Sequence, residues 1–180
     1  MTQALDSIRV IELTTGISGP YAGRILAGFG ADVIKVEPPG GDPARQWAPT
    51  SELPGPELGP LHLHLNTNKR SIVADLARSE ADRDLVRCLI SGADIVLEAF
   101  APGTLEGWGL GFEDLRKLNP NLVLTSITPF GQTGPYAQFQ GEEIVYYAMG
   151  GAMSGTGVEE REPVKLGGNI VQYQCGNLAA

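Results

Sequence analysis

Residues 8–37 read IRVIELTTGISGPYAGRILAGFGADVIKVE, and this stretch decides the fold class. The β-branched and apolar run at 8–14 predicts a strand that ends in a turn with Gly16 and Gly19. Pro20 is a favourable first helical residue, apolar residues recur at helical spacing over 21–29, and Gly30 ends the helix. The run at 32–37 predicts the next strand. Strand, helix and strand in this order form a βαβ unit, which places two parallel strands in one sheet.

The same alternation continues along the chain. Strands are predicted over 71–74, 93–98 and 122–127, and helices over 79–90 and 112–118. The helix over 79–90 has a predicted buried stripe of Leu85, Val86, Leu89 and Ile90. Between these elements, residues 38–60 contain several prolines and glycines and little periodicity, so we expect a long surface loop there. Alternating strands and helices predict an α/β fold with a mostly parallel, doubly wound sheet.

Composition excludes several classes of protein. The chain has 180 residues, of which 42% are hydrophobic, so it suffices for one compact domain or part of one. A net charge of -8 without any run of Lys or Arg argues against nucleic acid as a partner. The start lacks a signal-peptide pattern and no long apolar run follows, so we expect no membrane partner and a cytoplasmic location. Cys88 and Cys175 indicate neither a disulfide nor a zinc site, and we expect both to be small buried side chains.

His62 and His64 are candidate metal ligands. Leu61, Leu63 and Leu65 alternate with His62 and His64, which predicts a short extended segment with both histidines on one face. This spacing fits a metal site or a polar strand face. Because no third ligand is near, we favour the polar face and expect no metal.

Short segments spread over the whole chain carry a resemblance to one known family. They include Ser18-Gly19-Pro20, residues 30–37, Asn68-Lys69-Arg70-Ser71, Ala93-Asp94-Ile95-Val96, Phe130-Gly131-Gln132-Thr133-Gly134-Pro135-Tyr136 and Met149-Gly150-Gly151. In this order and spacing they resemble the class III CoA-transferases, also called the CaiB/BaiF family, which includes formyl-CoA transferase, carnitine CoA-transferase and α-methylacyl-CoA racemase. Taken alone, the glycine-rich turn is weak evidence, because many such turns contain glycine for geometry.

The resemblance implies a Rossmann-like large domain that holds CoA at its strand ends, a small domain, and a dimer of two interlocked rings. It also implies coenzyme A as the cofactor, in the form of an acyl-CoA substrate, with a carboxylic acid as second substrate. Members of the family are about twice as long as this chain. We therefore expect residues 1–180 to be the N-terminal part of the CoA-binding large domain, with the small domain and the returning C-terminal segment absent.

The chain departs from the family pattern at the nucleophile. The transferases attack the acyl-CoA carbonyl with an aspartate, and this chain has Gln172 at that position. An amide is not a nucleophile of that kind. The racemase branch pairs the aspartate with a histidine in a Gly-His-Asp segment, which here is Gly141-Glu142-Glu143. These adjacent acids are either a catalytic base or the N-terminus of a helix, and we favour the helix.

The resemblance also assigns CoA contacts by position. Four of them carry side chains that differ from those of formyl-CoA transferase and its relatives, namely Ile17, Pro38, Ala99 and Gln140. Contacts through the backbone are expected at Ser18, Ala74, Asp75, Ala77, Phe100 and Ala101. Lys69 and Arg70 suit either phosphate binding or a structural corner, and the corner is favoured. The glycine-rich stretch 150–157 is either a flexible cover for a bound thioester or a turn.

Three functions compete. The favoured hypothesis is the aspartate-lacking subunit of a heteromeric CoA-transferase, paired with an aspartate-bearing paralogue. The alternative is an independent CoA-transferase or acyl-CoA racemase, active as a homodimer through other residues. A nicotinamide-dependent dehydrogenase is disfavoured because the required glycine spacing is missing.

Overall fold

A computed structural model describes residues 3–47 and 59–180 of the chain. Within this part, five strands form one sheet: β1 (Arg9–Leu13), β2 (Asp32–Glu37), β3 (Arg70–Val73), β4 (Ile95–Glu98) and β5 (Val123–Ser126). Their order across the sheet is β3-β2-β1-β4-β5, and every neighbouring pair is parallel. The predicted α/β fold is thereby confirmed.

Helices connect the strands. They are α1 (Ser18–Gly28), α2 (Pro60–Leu65), α3 (Glu80–Ser91), α4 (Thr104–Gly107), α5 (Phe112–Leu118), α6 (Glu143–Met149) and α7 (Ile170–Ala179), with short 3-10 helices at Pro43–Gln46 and Ala152–Gly155. The helix that the sequence predicts from residue 21 begins three residues earlier, at Ser18. None of the helices in the described ranges has the length and apolar character that a membrane crossing requires.

The core lies on both faces of the sheet. Ile11 of β1 faces one layer and packs in the same cluster as Val86 and Ile90 of α3. Val10, its neighbour in β1, faces the other layer with Leu26 of α1. Successive side chains of a strand point to opposite faces, so a sheet covered on both sides buries every second residue in each layer.

The strand order creates a switch point between β1 and β4. From β1 the chain proceeds to β2 and β3 on one side, and then crosses to β4 and β5 on the other. In open parallel sheets of this kind, the loops that leave the carboxyl ends of the two central strands diverge and open a crevice. A ligand crevice is therefore expected between the segments that follow β1 and β4.

The extended segment predicted for residues 61–65 is wrong, because the structure forms α2 there. Pro60 occupies the first helical position, where its fixed φ favours a helix. His62 is buried and His64 is exposed, since residues two apart lie on nearly opposite sides of a helix. Period-two alternation over five residues is too short to exclude a helix.

The predicted burial is wrong for three side chains, Cys88, Cys175 and Leu85. Cys88 and Cys175 are both exposed rather than buried. In α3, Val86 and Ile90 are buried, but Leu85 is 47% exposed. In the region predicted as a loop, residues 38–60, the described part contains the 3-10 helix Pro43–Gln46 and the first residue of α2, while residues 48–58 lie outside the described part.

Candidate functional site

Two adjoining cavities open at the carboxyl ends of the strands. Cavity A, of about 170 Å³, is lined by the β1–α1 turn, by residues that follow β4 and β5, by Tyr146 of α6 and by α7. Cavity B, of about 120 Å³, is lined by residues at the ends of β1, β2 and β3 and by Phe100 and Trp108. Thr15 lines both cavities, so they meet at the switch point of the sheet.

A buried ionic network fixes the β1–α1 turn. The Nζ of Lys35 donates to the backbone carbonyl of Thr14 at 2.8 Å and pairs with Glu12 and Asp42, each at 2.9 Å. Asp42 in turn accepts the backbone N–H of Gly16 at 3.3 Å. Both ends of the turn are thus held by charges that the fold buries, and such buried charges are costly unless they are paired in this way.

Lys69 belongs to this network. Its side chain is 1% exposed, and its Nζ donates to Glu12 at 2.6 Å and to the carbonyl of Pro20 at 2.7 Å. Burial lowers the pKa of Lys69 to about 8. Gly23 of α1 packs closely against Glu12, because a Cβ at residue 23 would lie 2.1 Å from the Glu12 carboxylate. Lys69 thus contacts groups of the protein itself, as expected for a structural corner and not for a phosphate ligand.

Helix α7 lies against α1 and closes one side of cavity A. The rings of Tyr21 and Tyr173 meet edge to face with their centres 4.8 Å apart. A Cβ at Gly176 would lie 2.7 Å from the carbonyl oxygen of Ser18, so only glycine permits this approach. The contact brings Val171, Gln172 and Cys175 to the wall of cavity A.

Glu143 holds the N-terminus of α7. This side chain is 7% exposed, and its two carboxylate oxygens accept the backbone N–H groups of Val171 at 2.7 Å and of Gln172 at 3.3 Å. A carboxylate stabilises a helix N-terminus because the first N–H groups have no partner within the helix. Glu142 directly precedes α6 and is exposed. The acidic pair thus lies at the start of α6, and Glu143 in addition caps α7.

The sequence pattern of CoA-transferase family III matches residues 5–180. This chain belongs to CoA-transferase family III. The succinate–glutarate CoA-transferase of Agrobacterium fabrum is 49% identical over 96% of this chain and 44% of its own length. The BbsE subunit of the succinyl-CoA:(R)-benzylsuccinate CoA-transferase of Thauera aromatica is 41% identical over 100% of this chain and 44% of its own length.

A solved structure agrees with the fold. The crystal structure of a CaiB/BaiF family protein from Brucella suis superimposes with a TM-score of 0.92 at 42% identity, covering 99% of this chain and 47% of that one. The chain thus spans less than half the length of these CoA-transferase family III relatives.

The structure collects most of the predicted family III site residues in the two cavities. Ile17, Ser18, Ala99 and Gln172 line cavity A. Cavity B is lined by Pro38, Ala74, Asp75, Ala77 and Phe100. Their roles as CoA contacts stay predictions.

Two predicted contacts lie elsewhere. Ala101 lines a separate cavity of about 310 Å³ beside Glu98 and Gln132. Gln140 is exposed in the segment before α6. The geometry does not bring these two to cavities A and B.

Sequence reasoning missed several residues that line cavity A. Thr128 and Tyr146 carry no motif that singles them out. Cys175 has a usable signal, because it follows Gln172 by three residues in a helix and therefore shares its face. Although Cys175 as a residue is exposed, partial burial of its thiol and, to a smaller extent, the nearby Glu143 carboxylate raise the pKa of that thiol.

Glu98 connects the end of β4 with residues that line the two cavities. It is 3% exposed at the end of that strand, and its carboxylate accepts the backbone N–H of Phe100 at 2.8 Å. Burial raises the pKa of Glu98. This bond fixes the bend between Ala99 in cavity A and Phe100 in cavity B.

Proposed function

We propose that the protein containing this chain transfers CoA between an acyl-CoA thioester and a carboxylic acid. In this proposal the chain is the aspartate-lacking subunit of a heteromer. The observation that carries the proposal is Gln172, which lies in the first turn of α7 at the wall of cavity A. No carboxylate is among the described residues that line this cavity.

The chemistry of the site supports a subunit without its own nucleophile. The carboxamide of Gln172 lacks the negative charge and the nucleophilic oxygen that form an acyl anhydride. The buried carboxylate of Glu143 is already engaged by two backbone N–H groups of α7. An attack by Glu143 would remove the acceptors that hold α7 in place.

The relatives give this proposal its context. One of them, BbsE, is described as a subunit of a CoA-transferase, and the match covers all of this chain and 44% of BbsE. By analogy, the second subunit of the present protein would be a paralogue that carries the aspartate.

Cavity B suits the nucleotide end of CoA. Its walls are mainly apolar and include the rings of Phe100 and Trp108, which meet edge to face at 5.0 Å. A flat adenine ring gains contact area from aromatic and aliphatic side chains. The pantetheine arm would then pass Thr15 and bring the thioester to cavity A.

Co-expression tests the subunit assignment. The complete protein is produced alone and together with an aspartate-bearing paralogue, and CoA exchange is measured with several acyl-CoA donors. We expect exchange only from the pair. Full exchange by the protein alone contradicts the assignment.

A matched pair of variants sharpens the test. We expect Gln172→Asp to stay inactive without the paralogue, as does Gln172→Asn, which has the same size but no charge. Recovery of full activity by Gln172→Asp in a homodimer would overturn the heteromeric role.

The second candidate is an independent transferase, and Cys175 is the residue that favours it. Cys175 also lines cavity A, and a thiol can accept an acyl group. Its raised pKa keeps the thiol protonated and weakens it as a nucleophile. This candidate predicts exchange by the chain without a paralogue, and loss of that exchange in Cys175→Ser.

A further inference from the structure

The lining of cavity A carries no charge. Its walls combine aliphatic and aromatic side chains with hydroxyl, amide and thiol groups, and none of the described lining residues is Lys, Arg, His, Asp or Glu. Ile17 is 1% exposed and forms part of the wall, between the turn after β1 and α1. Ile127, Pro129 and Val171 add further apolar surface. Among the described residues, cavity A therefore offers a ligand group no counter-ion.

One buried side-chain oxygen among the described lining residues has no hydrogen-bond partner. The Oγ1 atom of Thr128 is buried and has no hydrogen-bond partner in the structure. Thr128 follows β5 and lines cavity A. A buried hydroxyl without a partner destabilises the fold, so such groups are normally paired. This oxygen has almost no accessible area in the unliganded structure, so a ligand atom that accepts one hydrogen bond would satisfy it once the side chain turns toward cavity A.

The size of cavity A limits the ligand group. Its volume is about 170 Å³. A protein cavity of about 150 Å³ holds a benzene molecule. Cavity A therefore suits a short aliphatic chain or a single ring.

The N-terminus of α1 adds a weak positive field. Ser18 and Gly19, the first residues of this helix, also line cavity A. A helix terminus corresponds to roughly half an elementary charge. This field favours a carbonyl oxygen that gains partial negative charge, but it is no substitute for the full counter-ion that a buried carboxylate requires.

We propose that cavity A selects thioesters whose acyl group is uncharged, and that the hydroxyl of Thr128 donates a hydrogen bond to the thioester carbonyl oxygen. This inference rests on the proposed function and names its substrate class. An acyl group with a second, terminal carboxylate is disfavoured, because that carboxylate would find no cationic partner among the described residues that line cavity A. The relative from Agrobacterium fabrum differs in this respect, since succinate and glutarate are dicarboxylic acids.

Ligand binding tests the selectivity. The complete protein, with any subunit that copurifies, is titrated by calorimetry with two non-hydrolysable CoA thioethers of equal length. Both carry a ketone in place of the thioester carbonyl, and one ends in a methyl group and the other in a carboxylate. We expect the methyl-ended analogue to bind at least about tenfold more tightly. Equal affinity, or tighter binding of the carboxylate, overturns the inference.

Titration with free CoA distinguishes a wrong selectivity from a wrong function. If free CoA binds but the two analogues do not differ, the selectivity is wrong and the proposed function stands. If neither free CoA nor either analogue binds, the proposed function fails.

Variants of Thr128 test the hydrogen bond. Thr128→Val keeps the shape and removes the hydroxyl, so we expect affinity for the methyl-ended ketone to fall about tenfold while affinity for free CoA is unchanged. The unfolding midpoint of the unliganded protein should stay constant or rise, because an unpaired buried hydroxyl is removed. Thr128→Ser is the control that retains the donor. An unchanged ketone affinity in Thr128→Val, or an equal loss for free CoA, contradicts the assigned contact.

Discussion

Replacing Glu143 by glutamine should loosen the wall of cavity A that α7 provides. The carboxylate accepts N–H groups of Val171 at 2.7 Å and of Gln172 at 3.3 Å. A glutamine side chain retains one acceptor oxygen and turns an NH₂ group toward the other N–H. Hydrogen bonds to charged groups contribute about 1.5–3 kcal/mol each, and the longer bond contributes less. We therefore expect the free energy of unfolding to fall by about 2–3 kcal/mol.

Urea denaturation of the complete protein measures the change in stability, and hydrogen exchange of residues 170–179 reports on α7 directly. Glu142→Gln is the matched control, because Glu142 is exposed and should change stability by less than about 0.5 kcal/mol. Exchange in α7 should accelerate only in Glu143→Gln. Equal effects of the two variants, or no acceleration in α7, would refute the role of Glu143 as the cap of this helix.

Three further predictions concern the same site. Gly176→Ala should separate α7 from α1, because the added Cβ would lie 2.7 Å from the carbonyl oxygen of Ser18. We expect this variant to bind acyl-CoA more weakly than the original protein, as calorimetry can measure. Glu98→Gln should stabilise the protein at neutral pH. Burial raises the pKa of Glu98, so the charged form of this side chain destabilises the folded state at neutral pH. The gain in the urea midpoint of the variant should therefore shrink as the pH falls through the pKa of Glu98. Acyl-CoA should protect Cys175 from alkylation but not Cys88, as peptide mass spectrometry can measure; equal protection would contradict the location of the site.

Local patterns were sufficient for the central part of the fold. The apolar runs that become β1 and β2 and the glycine after α1 are short-range signals, and the structure confirms the βαβ unit they predict. The segment at 61–65 lacked such a signal. The alternation of this segment fits a strand as well as a short helix, and Pro60 at the first helical position favours the helix.

The candidate site depends on contacts that no local pattern encodes. Thr15 and Thr128 line one cavity although they are far apart in sequence, because parallel strands bring their carboxyl ends to the same edge of the sheet. The burial of Lys69 depends on a partner 57 residues away, Glu12. Cys175 was expected in the core because cysteine is usually buried, yet its helix leaves it at a cavity wall.

The most direct test of the proposed function is to locate the covalent intermediate. The complete protein and its aspartate-bearing partner are incubated with an isotopically labelled acyl-CoA and quenched during turnover, and the modified peptides are mapped by mass spectrometry. We predict that the label is found on the partner and that the peptide containing Gln172 and Cys175 is unmodified. An acyl or CoA adduct within residues 1–180 of this chain would contradict the account.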